Sequence, residues 1–173
     1  LAAQGGGGLV LVPTRELCAQ VGESIRSLTQ FLPQALKVTV VFGGVSINPQ
    51  LMGLRGGTDI VVATPGRLLD LIDHNALTLG SVNTLVLDEA DRLLDMGFSD
   101  ELNRILSMLP ARRQNLFFSA TFPAPVQALA QQLLHEPVRI DVLPEPQAAT
   151  DIAQQAIDVG AGRRTQLLRH LIV

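Results

Sequence analysis

The sequence predicts an α/β domain of the doubly wound type, with a mainly parallel sheet and helices on both faces. Short apolar runs rich in Val, Leu and Ile recur along the 173 residues, and helical segments lie between them. The runs follow one another at intervals of roughly 20 to 30 residues, which suits βαβ crossovers. Most runs lack alternation between apolar and polar residues, a pattern typical of parallel strands that are buried on both faces.

Each predicted strand leads through a short turn signal into a predicted helix. The strands are expected at residues 9–12, 38–42, 60–63, 84–87, 116–118 and 138–142. The helices are expected at residues 15–30, 46–55, 67–73, 99–108 and 125–134. Pro65 suits the first turn of its helix, because a proline has no N–H group to leave unpaired. The residues that mark the strand ends are Thr14, Gly43, Thr64, Asp88 and Ser119.

The two ends of the chain differ in composition from its middle. Residues 1–8 are expected to form a flexible, Gly-rich lead, and residues 9–143 are expected to form the main domain. Residues 144–150 are rich in Pro and Ala without periodicity, which indicates a linker. Residues 151–173 are then expected to begin a second domain. Its predicted elements are a strand at 156–159 and a helix at 163–173.

The composition limits how this protein can bind nucleic acid. The formal net charge is −3, and Trp and Tyr are both absent. These features argue against a strongly basic nucleic-acid-binding domain and against an aromatic platform that stacks single-stranded bases. Any bound nucleic acid should therefore be held by its backbone, with little reading of its sequence.

Cysteine, histidine and hydrophobic patterns exclude several other classes of protein. Cys18 is the single cysteine, so no internal disulfide can form, and a cytoplasmic location is expected. The thiol is expected to be a buried hydrophobe on the first helix. No apolar stretch approaches the roughly 20 residues of a membrane span, so no membrane partner is expected. His74, His135 and His170 lack the spacing of metal ligands.

The tetrapeptide Asp88-Glu89-Ala90-Asp91 directly follows the fourth predicted strand. Ligands bind beyond the carboxyl ends of parallel strands, so the carboxylates stand where a ligand site is expected. Asp88 and Glu89 could hold Mg2+, usually through water, and orient an attacking water. Acidic residues after a strand also cap the next helix, and the tetrapeptide alone leaves both interpretations open.

Three strands share a second pattern, in which Ser or Thr follows the strand and a helix comes next. Each helix N-terminus offers unpaired N–H groups and therefore a site for an anion. Arg15 and Arg67 follow two of these sites closely enough to reach such an anion. Simple helix capping is the alternative for each threonine taken singly. The threonines are Thr14, Thr64 and Thr121.

Gly43 and Gly44 follow the second predicted strand. Without side chains, these residues would let a sugar-phosphate backbone approach the main chain closely. A turn that needs positive φ explains the pair equally well, so the glycines alone do not decide between the two.

Taken together and in order, these motifs resemble the first RecA-like domain of DEAD-box ATP-dependent RNA helicases. The resemblance covers residues 9–143, and the stretch 42–50 is most similar to bacterial RhlE-type members. Residues 91–98 also look typical of the family. The matching motifs are Pro13-Thr14-Arg15-Glu16-Leu17, Gly43-Gly44, Thr64-Pro65-Gly66-Arg67, Asp88-Glu89-Ala90-Asp91 and Ser119-Ala120-Thr121.

The resemblance implies a role for each motif. Asp88 would help to hold the Mg2+ of ATP through water, and Glu89 would polarise the hydrolytic water. Asp91, Ser119 and Thr121 would link the nucleotide site to closure of this domain on a second RecA-like domain. RNA would be bound by its backbone along Thr14, Arg15, Gly43, Gly44, Thr64, Pro65, Gly66 and Arg67.

One motif of the family has no counterpart in the sequence. There is no G-x-x-x-x-G-K-[ST] loop, and the single lysine, Lys37, lies away from any Gly-rich loop. The phosphate-binding loop and its strand are expected before residue 1, so the fold is expected to be truncated at its N-terminus. The chain alone is then expected to be inactive in ATP hydrolysis and to self-associate through unpaired strand edges.

Two functions of other classes remain open. A non-catalytic RNA-binding or regulatory module would use the same strand ends without hydrolysis. A doubly wound signalling domain with an acidic Mg2+ pocket is the third alternative. That alternative leaves Thr64-Pro65-Gly66-Arg67 and Ser119-Ala120-Thr121 without a role.

Overall fold

A computed structural model describes residues 7–142 and 156–172. Its centre is a sheet of five strands in the order β2-β3-β1-β4-β5, and every neighbouring pair is parallel. The strands are β1 (Gly7–Leu11), β2 (Val38–Val41), β3 (Ile60–Ala63), β4 (Val82–Leu87) and β5 (Gln114–Phe117). The helices of this part are α1 (Arg15–Thr29), α2 (Asn48–Leu54), α3 (Pro65–Asp73), α4 (Ala90–Asp95), α5 (Ser99–Ser107) and α6 (Ala124–Leu133).

Helices cover both faces of the sheet. Successive residues of a strand point to opposite faces, and β1 supplies one hydrophobic cluster on each side. Leu9 and Leu11 belong to a large cluster with residues of α3, α5 and α6, whereas Val10 belongs to a smaller cluster with residues of α1. Burial on both sides explains why the central strands are apolar without alternation.

Helix α1 packs closely on the sheet. A Cβ atom added to Gly22 would lie 2.2 Å from Cγ2 of Val40, so only glycine allows this approach. Cys18 is fully buried nearby, and its Sγ donates to the carbonyl of Val62 at 3.2 Å. Burial raises the pKa of the Cys18 thiol to about 12, because desolvation disfavours the thiolate. The prediction of a buried, hydrophobe-like cysteine is confirmed.

Strand β1 begins two residues earlier than predicted, inside the Gly run. Gly7 N–H donates to the carbonyl of Ser81 and Gly8 N–H donates to the carbonyl of Asp59, both at 2.9 Å. These bonds join β1 to its two neighbouring strands, and they explain why glycines with no strand propensity become part of the sheet. Residues 1–6 of the predicted lead lie outside the described residues.

In the described part of the chain, strand β5 forms one edge of the sheet and pairs on one side only, with β4. The strand covers Gln114–Phe117 and begins two residues before the predicted range of 116–118. Its residues alternate between exposed and partly buried, and Phe118 just beyond it is 54% exposed. The strand lies at an edge and has one solvated face, so its first two residues can be polar. The apolar pattern therefore predicted a start two residues too late.

The strand predicted at residues 138–142 is wrong. These residues form no strand, and Val138, Ile140 and Val142 are 88%, 82% and 88% exposed. The alternation of apolar and charged residues suits a strand. A strand, however, needs backbone hydrogen bonds to a neighbouring strand, and none of the five strands pairs with this segment.

The chain divides into two compact units, and the second begins at Val138. In this unit a 3-10 turn (Ala161–Arg163) leads into α7 (Arg164–Leu171), which confirms the predicted helix. The strand predicted at residues 156–159 is wrong, because residues 156–160 form no regular structure. The predicted linker at residues 144–150 lies outside the described residues. No helix in the described part of the chain is long and apolar enough to cross a membrane.

Candidate functional site

All the sequence motifs lie beyond the carboxyl ends of strands. Because every strand pair is parallel, these ends share one edge of the sheet. The strand order places the Gly43-Gly44 turn first, then Thr64, Thr14, the acidic tetrapeptide and the segment from Ser119 to Thr121. Residues that are far apart in the sequence therefore lie along one edge of the sheet, which is where ligands bind in parallel α/β sheets.

Asp91 connects the turn after β4 with the turn after β5. Its Oδ2 accepts from the Thr121 amide at 3.0 Å and from the Thr121 hydroxyl at 2.7 Å. The Asp91 amide donates to Oγ of Ser119 at 3.2 Å, and that Oγ donates to the Thr121 carbonyl at 2.7 Å. The hydrogen bond from the Thr121 hydroxyl is the main reason that the pKa of Asp91 lies below its ordinary value. We call Asp88, Glu89, Asp91, Ser119 and Thr121 the acidic cluster.

Asp88 and Glu89 occupy a turn that is anchored to both neighbouring strands. The Asp88 amide donates to the Leu11 carbonyl, and the Ala90 amide donates to the Phe118 carbonyl, both at 3.0 Å. Between them Glu89 adopts a left-handed conformation with φ of 49°. A non-glycine residue in this region costs about 1 kcal/mol or more and is typical of functional turns. The turn thus holds two partly exposed carboxylates in a fixed place.

The two carboxylates differ in their partners. Oδ1 of Asp88 accepts from the Glu89 amide at 2.9 Å. Oε2 of Glu89 lies 3.2 Å from Nη1 of Arg92, one helical turn further on. Glu89 stands at the N-cap position of α4, but its side chain makes no capping bond. The structure therefore does not support helix capping as the role of Glu89. The sequence had not predicted α4 itself.

The three threonines for which helix capping was the alternative have different roles. Thr14 caps α1, since its hydroxyl accepts from the Leu17 amide at 3.3 Å. Thr64 stands at the N-cap position of α3 but makes no side-chain capping bond, and its hydroxyl accepts from the Gly43 amide at 3.3 Å. Thr121 does not cap α6, because that helix begins later and the Thr121 hydroxyl donates to Asp91. Two of the three hydroxyls thus join separate turns of the sheet edge.

The loop after β2 is held by three side chains from two other parts of the chain, α2 and the start of α3. Both backbone groups of Phe42 bind the side-chain amide of Gln50, with two bonds of 3.1 Å. Thr64 binds the next amide, at Gly43. Nη2 of Arg67 donates to the Val45 carbonyl at 2.8 Å. We call residues 42–45 together with Gln50, Thr64 and Arg67 the loop cluster.

The two arginines that were expected to reach an anion differ in exposure. Arg15 is exposed, and its Nε forms an ion pair of 2.6 Å with the neighbouring Glu16. Arg67 is only 8% exposed, and its Nε lies 3.5 Å from the Asp70 carboxylate. Nε and Nη1 of Arg67 have no hydrogen-bond partner among the described residues. Arg15 is therefore open to a ligand, whereas Arg67 mainly supports the loop.

The glycines of the site leave open space on its surface. Gly44 has φ of 80°, so the need for a positive φ accounts for this residue. Gly43 and Gly66 are not among the residues with positive φ, and a Cβ atom added to either would meet nothing within 4 Å. Neither backbone strain nor internal packing therefore requires glycine at these two positions. Pro65 occupies the first turn of α3, as predicted.

Comparison with known proteins explains this combination of motifs. The profile of the family described as DEAD/DEAH box helicase matches residues 2–129, which is most of the chain. The chain belongs to this family.

Curated relatives of the DEAD/DEAH box family extend well beyond the matched region. CshA of Bacillus subtilis, named a DEAD-box ATP-dependent RNA helicase, is 38% identical over 95% of this chain and 33% of its own length. The ATP-dependent RNA helicase DbpA of Escherichia coli is 41% identical over 95% of this chain and 35% of its own length. The chain therefore spans about a third of the curated relatives that it matches.

Solved structures of the family share the fold. The yeast DEAD-box splicing factor Prp28 has a TM-score of 0.71 and 35% identity, over 76% of this chain and 31% of Prp28. A DEAD box protein from Methanococcus jannaschii has a TM-score of 0.69 and 38% identity, over 77% of this chain and 36% of that protein. The predicted RecA-like fold, with a parallel sheet between helices, is confirmed.

Sequence reasoning missed Gln50 in this DEAD/DEAH box domain. The residue lies in the stretch that resembled the family, but a glutamine in the first turn of a helix carries no chemical signal by itself. Its position after a Gly-Gly loop was the only available hint. The amide contacts to Phe42 become visible only when α2 folds back beside the end of β2.

Proposed function

We propose that this chain is part of an ATP-dependent RNA helicase that binds Mg-ATP and the RNA backbone and separates short RNA duplexes. The observation that carries the proposal is the shared sheet edge, on which the acidic cluster and the loop cluster follow one another. One cluster has chemistry suited to nucleotide hydrolysis, and the other offers backbone groups and open glycine surfaces. A protein that couples ATP turnover to RNA binding needs both on one rigid support.

The acidic cluster suits the hydrolysis of a Mg-bound nucleotide. The described residues contain no group of three or more His, Cys, Asp or Glu side chains that could hold a metal by themselves. A single carboxylate is enough for Mg2+ when waters and phosphate oxygens complete its shell. Asp88 fits this role, since among the described residues only one of its oxygens has a hydrogen-bond partner, the Glu89 amide. The bound ion would neutralise phosphate charge during hydrolysis.

Glu89 is proposed to polarise the attacking water. Its left-handed backbone and its partial exposure direct the carboxylate out of the turn, within reach of solvent. The ion pair with Arg92 holds one oxygen of this carboxylate. Asp91, Ser119 and Thr121 are proposed to act through their shared bonds, which would move the turns after β4 and β5 together when a second RecA-like domain closes.

The loop cluster and its neighbours are proposed to hold the RNA backbone. Exposed Arg15 supplies one charge, and the open sides of Gly43 and Gly66 allow a sugar-phosphate chain to approach the protein backbone. Contacts of this kind position RNA but do not read its bases, so little sequence preference is expected. The proposed surface consists of Thr14, Arg15, Gly43, Gly44, Thr64, Pro65, Gly66 and Arg67.

The same proposal extends to the behaviour of the isolated chain and to its relation to the rest of the protein. Residues 1–173 contain no G-x-x-x-x-G-K-[ST] sequence, so we propose that they do not hydrolyse ATP without the rest of the protein. Residues 151–173 are proposed to begin the second RecA-like domain. The open edge of β5 is proposed to cause self-association of the isolated chain. We retain the RhlE-type subgroup and a cytoplasmic location as expectations.

The proposal is tested by RNA binding and duplex separation in the full-length protein that contains this chain. Two single-stranded RNAs of unrelated sequence should bind with similar affinity in the presence of a non-hydrolysable ATP analogue, and a short duplex should separate with ATP. RNA binding without ATP hydrolysis would instead favour a non-catalytic RNA-binding module. Absence of RNA binding would overturn the proposed function.

A further inference from the structure

Gln50 makes an unusually complete contact with the end of β2. Its Oε1 accepts from the Phe42 N–H at 3.1 Å, and its Nε2 donates to the Phe42 carbonyl at 3.1 Å. The side-chain amide thus binds a backbone residue through both of its polar groups, as a neighbouring strand would. Among the described residues, strand β2 lies at an edge of the sheet and pairs with β3 alone. Gln50 therefore fixes the chain where the sheet no longer holds it.

The two other bonds of the loop cluster continue from this point. Thr64 fixes the amide of Gly43, and Arg67 fixes the carbonyl of Val45. Between these fixed groups Gly44 is exposed, with φ of 80°. Among the described residues, no group forms a hydrogen bond with the backbone of Gly44. The loop is thus held on both sides of one backbone unit that remains available to a ligand.

A loop that is already fixed favours tight binding. Ordering a mobile loop on binding costs free energy and so lowers the affinity. We propose that Gln50 is a positioning residue, which holds residues 42–45 in the shape in which the Gly43-Gly44 backbone contacts an RNA phosphate. This inference rests on the proposed RNA-binding function. Gln50 itself touches Phe42 and is not proposed to touch RNA.

The chemistry of Gln50 makes the role separable from simple packing. Methionine has a similar length and similar helix propensity, but it lacks both the donor and the acceptor that Phe42 requires. Gln50→Met should therefore keep the packing of α2 and remove the two bonds. Gln50→Ala removes the packing as well. Gln20→Ala is a matched control, because Gln20 is exposed on α1 and, in the described part of the chain, the side-chain hydrogen bonds to residues 42–45 come from Gln50, Thr64 and Arg67.

The test combines RNA affinity, its salt dependence and hydrogen exchange in the full-length protein. Gln50→Met and Gln50→Ala should both raise the Kd for a single-stranded RNA by about three- to tenfold. The slope of log Kd against log salt concentration should stay that of the wild type, because no charged contact is lost. Amide exchange at residues 42–45 should accelerate, whereas Gln20→Ala should change none of these quantities.

The outcomes separate the inference from the proposed function. Faster exchange at residues 42–45 with unchanged RNA affinity in Gln50→Met would overturn the positioning role and leave RNA binding intact. A changed salt slope would also overturn it, since this result would indicate a lost RNA contact. Failure of the wild-type protein to bind RNA would overturn the proposed function, and the inference with it. If Gln50→Ala does not fold, Gln50→Met alone decides.

Discussion

The loop cluster and the acidic cluster occupy the same sheet edge but use their side chains in opposite ways. In the loop cluster, Gln50, Thr64 and Arg67 all turn inward to hold backbone groups of residues 42–45. In the acidic cluster, carboxylates are brought to the surface by backbone bonds from the strands on either side. One region therefore presents main chain, and the other presents charge.

This difference suits the two kinds of ligand that we propose for the clusters, the RNA backbone and Mg-ATP. A nucleic-acid backbone can be bound by fixed N–H groups on an open surface, and such contacts do not select a base sequence. Hydrolysis needs charged oxygens that can hold Mg2+ and orient water. Asp91 is the exception in the acidic cluster, because its carboxylate bonds to Thr121 and so joins two turns. We infer that the link between the two functions passes through Asp91, and the predictions below test this division.

The largest effect is expected from Glu89→Gln in the full-length protein. This change removes the carboxylate that is proposed to polarise water but keeps the size of the side chain. Turnover should fall by about 10² to 10⁴, the usual contribution of a general base, while ATP and RNA affinities stay near wild type. Steady-state hydrolysis and equilibrium binding measure the two effects. Near-normal RNA-stimulated hydrolysis in this variant would remove Glu89 from the mechanism.

A smaller effect is expected when the bond between Asp91 and Thr121 is removed. Thr121→Val keeps the shape of the side chain but loses the hydroxyl that donates to Oδ2 at 2.7 Å. The interaction free energy between two groups in one hydrogen-bond network is about 1–2 kcal/mol. RNA-stimulated turnover should therefore fall about tenfold, with little change in unstimulated turnover. Equal loss with and without RNA would contradict a coupling role.

The same variant should change the titration of Asp91. In the wild type the Thr121 hydroxyl holds the Asp91 pKa below its ordinary value of 3.8. The ionised carboxylate therefore adds stability above pH 3.8, and this contribution is lost as the pH falls through the lowered pKa. In Thr121→Val the Asp91 pKa should move up toward 3.8. Carbon-13 NMR of the carboxyl group measures this change directly, and an unchanged pKa would contradict the assigned cause.

Removal of the exposed charge at Arg15 should weaken RNA binding moderately. A protein that loses one phosphate contact should show a salt slope smaller by about 1 and similar weakening for all RNA sequences. Arg15→Ala should behave in this way, whereas Arg26→Ala at the other end of α1 should not. A salt titration of RNA affinity with two unrelated RNAs makes the comparison. A new sequence preference in Arg15→Ala would indicate a base contact instead.

The smallest effect should come from Gly66→Ala. This variant should change stability and RNA affinity in opposite directions. A Cβ atom at this position meets nothing within 4 Å, and alanine is favoured over glycine in helices by up to about 1 kcal/mol. The variant should therefore unfold at a slightly higher temperature and bind RNA about two- to threefold more weakly, because the methyl group reduces close approach. Unchanged RNA affinity would show that no backbone approaches Gly66.

The sequence predicted the central sheet well and its margins poorly. Strands β1 and β3 and the end of β4 lie inside the sheet, and such segments appear as continuous apolar runs. Strand β4 begins at Val82, two residues before the predicted range, because its start includes the exposed Asn83. The start of β5 was missed, because Gln114 and Asn115 lie on an edge strand with a solvated face. Residues 138–142 show the opposite error, since a strand-like pattern is not sufficient when no neighbouring strand is available. Helix α4 was missed because it spans only Ala90–Asp95.

The site could be predicted as a set of residues but not as a set of bonds. The motifs placed Asp88, Glu89, Ser119 and Thr121 at one sheet edge, because parallel strands end together. The hydrogen-bond partners of their polar groups depend on how closely separate turns approach one another. The sequence pattern alone does not predict the distances between these turns. For this reason, the sequence left capping open for Thr64 and Thr121, whereas the structure shows that their hydroxyls bind other turns.

The most direct test of the division between the two clusters is the ATP hydrolysis rate of the full-length protein, measured as single-stranded RNA is added. We expect the rate to rise with RNA concentration to a plateau, because we propose that the loop cluster binds the RNA and that Asp91 transmits this binding to the acidic cluster. Hydrolysis at the same rate with and without bound RNA would contradict this account.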